Sequence, residues 1–349
     1  MYKLSHYGIR GVALDWFKSY LNNRNQAVKF DVISDVKAVV CGVPQGSILG
    51  PVLFLLYVND LFCVSSVLYT IMFADDTNMF IQGKNISELE NIMNEEIKKV
   101  VTWLYANKLS LNIDKTNCML FTNSKRHSNR VVNVYINGSH IETACETKFL
   151  GVILDNKLSW KSHIDYISLK IAKGIGIVKK AKFCFTKKTL LSLYYTFIFP
   201  YLSYSNLIWG RASKLSLTRL HLLQKRILRI ICNVHYLAHT DILFKSCNVM
   251  TIFDLNVYYV ALFMFKVQNN MLPDYIVSMF SYHSDVQAKQ TRQSEKFYLP
   301  FCRTEKRKNS LTYIGAYMWN NDILPLCINS KSFLTFKKHL KTAMLENLL

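Results

Sequence analysis

The sequence predicts an α+β protein whose mixed first part gives way to helices. Two observations predict it: up to Asp155 helical and alternating apolar spacings take turns, and from Trp160 helical spacing alone persists almost to the end. A third is that half of the 349 residues are apolar and 13% aromatic, which is material for two or three packed units.

The elements follow in order. Val12 to Asn22 has apolar residues at helical spacing, a polar turn follows, and Gln26 to Phe30 reads as a strand. Val36 to Cys41 is the next strand; it runs into the loop Gly42-Val43-Pro44-Gln45-Gly46-Ser47, after which Leu49, Val52, Leu53, Leu56 and Tyr57 resume helical spacing. Val67 to Phe73 and Thr77 to Gln82 are short β-rich runs, and Ala74-Asp75-Asp76 falls where a tight hairpin turns. Ser87 and Glu90 have the spacing of a capping box at the start of a long amphipathic helix. Strands are then expected at Asn117 to Thr122, Val131 to Ile136 and His140 to Thr143, with Asn137-Gly138 turning between the last two, and a single strand at Thr147 to Asp155.

The helical part reads as Trp160 to Lys182, Lys188 to Trp209 broken near Pro200, and Leu215 to Cys232. The polar, basic stretch from Ser284 to Ser310 is the best linker candidate. Leu190 to Trp209 approaches the length of a membrane span, but its proline, tyrosines and serines fit a buried helix pair, so no membrane is expected as a partner. Nine scattered cysteines in apolar segments, without a C-x-x-C pair, read mostly as reduced core thiols. Cys232, His235, His239 and Cys247 have spacing a zinc site could use, but they end an apolar helix and zinc is not expected.

Charge narrows the partner. Forty-three Lys and Arg against 23 Asp and Glu leave +20, a surplus that serves a polyanion, with nucleic acid the first candidate. Paired carboxylates at the tip of a hairpin suit divalent metal ions, because the strands fix the backbone while the tip stays open to substrate. Such a pair alone is a common turn former, so the neighbouring loop decides.

Gly42 through Ser47 to Ile48-Leu49-Gly50-Pro51, followed some 25 residues later by Phe73-Ala74-Asp75-Asp76, resembles two motifs of reverse transcriptases, in the wording of non-LTR (LINE-type) retrotransposons such as the jockey group. Group II intron maturases and telomerase share the same palm, but this wording and Tyr57-Val58-Asn59-Asp60-Leu61 are closer to LINE elements. The resemblance implies a partial polymerase palm over 1–155, an antiparallel sheet with helices, then an all-helical thumb over 156–283 and a basic linker with a C-terminal helical segment over 284–349. It makes Asp75 and Asp76 the metal ligands, for two Mg²⁺ ions with Mn²⁺ as a substitute. Pro44, Gln45, Gly46, Ser47, Phe73 and Ala74 would line the nucleotide and template site. Asn107 to Thr116 resembles the segment whose lysine, here Lys115, gives a proton to leaving pyrophosphate; a lysine holding phosphate by charge alone is the other reading. Phe149, Leu150 and Gly151 resemble the primer grip, and Lys170, Lys173, Lys179, Lys180, Lys182, Lys187 and Lys188 would contact duplex phosphates.

The implied partners are an RNA template, a DNA primer and deoxynucleoside triphosphates; protein partners cannot be read from these residues. The family's third carboxylate lies upstream of the helix that begins near His6, and Asp15 reads as a solvent-facing helix residue instead. A chain truncated at that point is expected to bind nucleic acid and to polymerise poorly or not at all, because two carboxylates leave one ion under-coordinated. The alternative is thus a catalytically inactive nucleic-acid-binding remnant. An intracellular location, nucleus and cytoplasm, is expected, the nuclear site only from how such elements copy themselves into chromosomes.

Overall fold

Short strands punctuated by turns, then long amphipathic helices, are what the computed structural model contains. It describes residues 1–40, 42–44, 46–122, 124, 130–286, 294–323 and 332–346. The chain divides into two units, Met1–Cys145 and Glu146–Leu349.

In the first unit, α1 (Tyr2–His6) and α2 (Val12–Leu21) precede a small ladder of β1 (Arg24–Gln26) and β2 (Lys37–Val39). Helix α3 (Leu49–Val58) runs into a 3₁₀ turn at Asn59–Cys63, and the hairpin of β3 (Tyr69–Phe73) and β4 (Asp76–Phe80) follows. Beneath that hairpin lies α4 (Ile86–Ala106), whose Val100 joins Leu61 and Leu68 in a small core capped by Met72 and Met79. The other face of α4 meets a second cluster, Val134, Ile136 and Ile141. That cluster comes from within and beside a small hairpin, β6 (Tyr135–Ile136) paired with β7 (Ser139–His140) across Asn137 (φ 51°) and Gly138 (φ 81°), the left-handed turn expected there.

Several expectations are corrected. α4 is capped by Asn85, whose side chain accepts from the Ser87 amide, rather than by a Ser87–Glu90 box. Glu90 is instead buried, accepting from Asn133 N at 3.0 Å and pairing with Arg130 at 3.3 Å. The antiparallel sheet is replaced, among the described residues, by five two-stranded ladders, of which β5 (Asn117–Cys118) with β8 (Glu142–Thr143) is parallel. Strands of two to five residues cannot extend a ladder far before a turn interrupts it. The single strand expected at Thr147 to Asp155 is a hairpin, β9 (Glu146–Phe149) and β10 (Val152–Asp155), because Leu150 (φ 44°) and Gly151 (φ 85°) turn the chain.

The second unit is helical after that hairpin. α5 (Lys161–Ala181), α6 (Lys187–Phe197) and α9 (Lys214–Ile231) pack with α11 (Ile252–Gln268) around Ile171, Tyr194, Leu220, Ile227 and Val260, all fully buried. The Leu190 to Trp209 stretch divides into the end of α6, α7 (Phe199–Ser203), which Pro200 opens, and α8 (Asn206–Trp209), which follows the left-handed Ser205 (φ 50°). No helix among the described residues is long and apolar enough to cross a membrane. The described end of the expected Ser284 to Ser310 linker is anchored, not free: Phe297 is fully buried, and Asn320 both accepts from its amide (3.0 Å) and donates to its carbonyl (2.8 Å).

Candidate active site and nucleic-acid interface

The hairpin is built to present its tip. Ser65 Oγ accepts from Leu68 N at 2.9 Å and so starts β3. Thr70, Met72 and Met79 then alternate inward, leaving Tyr69, Ile71 and Phe73 outward. Phe73 pairs with Asp76, so the turn is two residues, Ala74 and Asp75, and Asp76 rises from the same open face as Phe73. Ala74 is left-handed (φ 53°), a conformation that costs a residue with a Cβ about 1–2 kcal/mol. Asp75 and Asp76 are both exposed, and among the described residues neither carboxylate has a hydrogen-bond or ion-pair partner. Their oxygens are hard donors free for a divalent ion.

The Gly42 to Pro51 loop is tied to itself. Pro44 O accepts from Ser47 Oγ at 2.8 Å, and Ser47 Oγ accepts from Gly50 N at 3.0 Å. A Cβ on Gly50 would sit 3.0 Å from Ser47 Oγ and 3.2 Å from Pro44 O, so the knot needs glycine there. Gly46 (φ 79°) has open space where its Cβ would be, leaving backbone accessible to a ligand. Arg24 donates to Gly42 O and fixes the loop's entry. Gln45 lies outside the described residues. Loop and hairpin are in one unit, joined through α3 and the 3₁₀ turn.

A cluster that sequence reading missed stands at that junction. The Lys3 ammonium donates to Tyr57 O and Asp60 Oδ1, both at 2.6 Å, and lies 4.9 and 4.8 Å from the Tyr57 and Trp103 ring centres. Trp103 Nε1 donates to Asp60 Oδ2 at 3.3 Å. Burial works to raise the Asp60 pKa, but the Lys3 bond, its own backbone and Trp103 together hold it below the usual carboxylate range. Leu61, next to Asp60, is core to the hairpin's support, so this cage sets where the hairpin stands. The available signal was that Asp60 is the only charged residue between Lys37 and Asp75.

Lys115 is exposed at the end of the 3₁₀ turn Ile113–Lys115, and its ammonium has no partner among the described residues. Asp15 is exposed on α2 and pairs with Lys18 at 2.9 Å, as expected of a surface residue. Phe149, Leu150 and Gly151 belong to the second unit. Leu150 O accepts from Tyr204 Oη at 2.6 Å, Gly151 lies against the Tyr204 ring, and Ile153 N donates to His163 Nδ1 at 3.3 Å. Of the seven lysines singled out on the helices, Lys173, Lys179, Lys180, Lys187 and Lys188 are exposed; Lys170 and Lys182 are partly covered, near Tyr166 and Phe183. Cys232 and Cys247 have sulfurs 3.3 Å apart, whereas His235 accepts from Leu237 N. Among the described residues no three His, Cys, Asp or Glu side chains form a metal-holding group.

The reverse transcriptase (RNA-dependent DNA polymerase) family model matches residues 1–154. The match covers 154 of the 349 residues. The resemblance carried by the Gly42 to Pro51 loop and Phe73 to Asp76 is therefore borne out, and the relatives are mobile-element proteins. This chain is 28% identical over 247 residues to the "Probable RNA-directed DNA polymerase from transposon X-element" of Drosophila melanogaster, covering 68% of this chain and 27% of that protein. It is 29% identical over 237 residues to the "RNA-directed DNA polymerase from mobile element jockey" of Drosophila funebris, covering 64% and 25%. Over 147 residues it is 31% identical to the "Retrovirus-related Pol polyprotein from type-1 retrotransposable element R1 2" of Nasonia vitripennis, covering 40% and 35%. The chain thus spans about a quarter of the length of the first two. The matched stretch contains the loop, the hairpin, the Lys3 cage, Lys115 and nearly all of the 146–155 hairpin.

Proposed function

We propose that this chain supplies part of the RNA-directed DNA polymerase of a non-LTR, LINE-type mobile element, extending a DNA primer on an RNA template with deoxynucleoside triphosphates. One observation carries the reading: two unpartnered carboxylates at a rigid hairpin tip, within a domain of the reverse transcriptase family. Asp75 and Asp76 would hold Mg²⁺, or Mn²⁺ in its place. When bound, divalent ions lower the pKa of the attacking 3′-hydroxyl and neutralise the triphosphate. The chain's own contribution is position. The β3–β4 backbone holds the acids while Gly46, Ser47 and Pro44 present a tied loop to the nucleotide, which Gln45, Phe73 and Ala74 would also contact. Lys115 meets the leaving pyrophosphate, by proton or by charge. Residues 1–155 act as the palm portion, with Phe149 to Gly151 gripping the primer; 156–283 act as a thumb along the duplex, and 284–349 as a C-terminal helical segment.

A second reading, nucleic-acid binding without turnover, is favoured for this chain alone by the absence of a three-carboxylate group among the described residues. One set of measurements on the purified chain tests both. Fluorescence anisotropy should show binding to an RNA–DNA heteroduplex that weakens steeply with salt, and Mn²⁺ binding followed by electron paramagnetic resonance should disappear in the Asp75→Asn/Asp76→Asn variant. No heteroduplex binding, or Mn²⁺ binding unchanged in the variant, would overturn the polymerase assignment. Steady primer extension with Mg²⁺ that Asp75→Asn abolishes would remove the second reading and leave the first.

A further inference from the structure

The basic charge of the chain is not spread evenly. Between Asp165 and Asp241 there is no Asp or Glu, while thirteen of the 43 Lys and Arg fall in that interval. Its densest part is the turn joining α5 to α6, where Lys179, Lys180, Lys187 and Lys188 are exposed and two phenylalanines stand among them. Phe183 is 85% exposed and Phe185 54%, the Lys182 ammonium lies 5.9 Å from the Phe183 ring centre, and neither phenylalanine belongs to the core of this unit. The turn is held: Cys184 N and Phe185 N both donate to Ala181 O, at 3.0 and 3.1 Å, and Thr186 caps α6 by accepting from Thr189 N.

Exposing an aromatic ring to water costs free energy that a core position would recover, and among lysines a partner with a flat apolar face and negative charge recovers it. Duplex bases are already stacked and offer phosphates alone. An unpaired base offers its face, and its phosphates meet the surrounding lysines. We propose that the α5–α6 turn is a stacking platform for single-stranded nucleic acid, with Phe183 carrying one unpaired base and the lysines around it carrying the adjoining phosphates. This rests on the nucleic-acid-binding reading above and adds the state of the strand bound at this turn. A membrane surface would also take exposed phenylalanine and lysine, but the family of residues 1–154 favours nucleic acid.

The test uses the full chain, a fluorescein-labelled 20-nucleotide oligo(U) RNA and an RNA–DNA heteroduplex of the same length. Phe183→Ala should weaken oligo(U) binding by about 5- to 100-fold and leave the heteroduplex within about twofold. Phe183→Trp should keep the affinity and show indole fluorescence quenched by oligo(U) but not by heteroduplex. Lys179→Ala with Lys180→Ala should weaken both ligands and lower the salt slope for oligo(U) by about 1.4. An unchanged melting temperature of Phe183→Ala, expected for so exposed a ring, separates lost stacking from lost fold. Equal effects of Phe183→Ala on both ligands, or none on either, would overturn the platform while leaving nucleic-acid binding in place. Wild-type chain that binds neither ligand would overturn both readings. Loss of co-sedimentation with phosphatidylserine vesicles by Phe183→Ala, with oligo(U) affinity unchanged, would replace the platform with a membrane contact.

Discussion

The two units differ most in what supports them. Glu146–Leu349 has one continuous core running from Ile164 to Met344, with Trp209, Tyr194 and Phe336 fully enclosed. Among its described residues Met1–Cys145 has two small clusters of three buried hydrophobics each, and Phe30, Val40 and Ile48 are 86–94% exposed. The acids, the glycine loop and Lys115 lie on the thinly supported unit; the lysine-bearing helices and the 146–155 hairpin lie on the well-packed one. On the proposed reading, nucleotide chemistry would fall where short hairpins and ion pairs set positions, and nucleic-acid contacts would fall on helices held by a large packed core.

The largest way to break that contrast is to empty the second core. Trp209 is fully buried, donates to Tyr204 O at 2.8 Å and faces the His163 ring. Trp209→Ala should cost about 3–5 kcal/mol and strip hydrogen-exchange protection from α5, α9 and α11. In the unsubstituted chain the β1–β2 amides should already exchange faster than those helices. Equal protection in both places would sink the comparison.

That contrast also governs what was legible. Amphipathic helices over Val12 to Asn22, Trp160 to Lys182 and Leu215 to Cys232 match α2, α5 and α9 within a residue or two, since a 3.6 period is local. Asn137-Gly138 and the 73–76 turn were legible for the same reason, turn chemistry being written in adjacent residues. The 146–155 hairpin was not, because an apolar run hid the Leu150-Gly151 turn that left-handed backbone makes. Capping by Asn85 was missed because Glu90, well spaced for a box, is drawn away by Asn133 and Arg130, forty residues on. The Lys3, Asp60 and Trp103 cage joins three distant segments, and no period or spacing announces such a contact.

Glu90 tests whether ion pairs do carry the first unit. Its buried carboxylate accepts from Asn133 N and pairs with a half-exposed Arg130. Glu90→Ala should cost about 1–3 kcal/mol, below the range for a broken fully buried pair because solvent screens Arg130. Urea unfolding read through the Val134–Ile141 cluster is the measurement. A loss under about 0.5 kcal/mol would show that the strand 135–136 is held by packing alone.

Acid sharpens the contrast from the other side. Burial lowers the pKa of His163, and burial followed by the nearby Lys225 lowers that of His221; both are in the second unit. An imidazole depressed in the folded state stays neutral while the unfolded chain takes up a proton, so its contribution is intact above about pH 6.5 and is lost as pH falls toward the folded value. The melting temperature of the second unit should therefore drop between pH 7 and pH 5, by less than Trp209→Ala achieves at pH 7. His163→Asn keeps an acceptor for Ile153 N and should flatten part of that slope. A profile as steep in the variant as in the parent would clear His163 of any role.

The smallest effect is at the hairpin tip. Ala74 holds a left-handed conformation at about 1–2 kcal/mol, and Ala74→Gly removes that strain while giving the unfolded chain more freedom, worth about 0.4–1 kcal/mol the other way. The variant should gain about 0.5–1 kcal/mol in urea unfolding of the first unit. The same freedom loosens the turn that carries Asp75 and Asp76, so Mn²⁺ should bind more weakly although the fold is stronger. If stability falls instead, alanine is not strained there in solution, and the hairpin tip owes its position to something other than the two-residue turn.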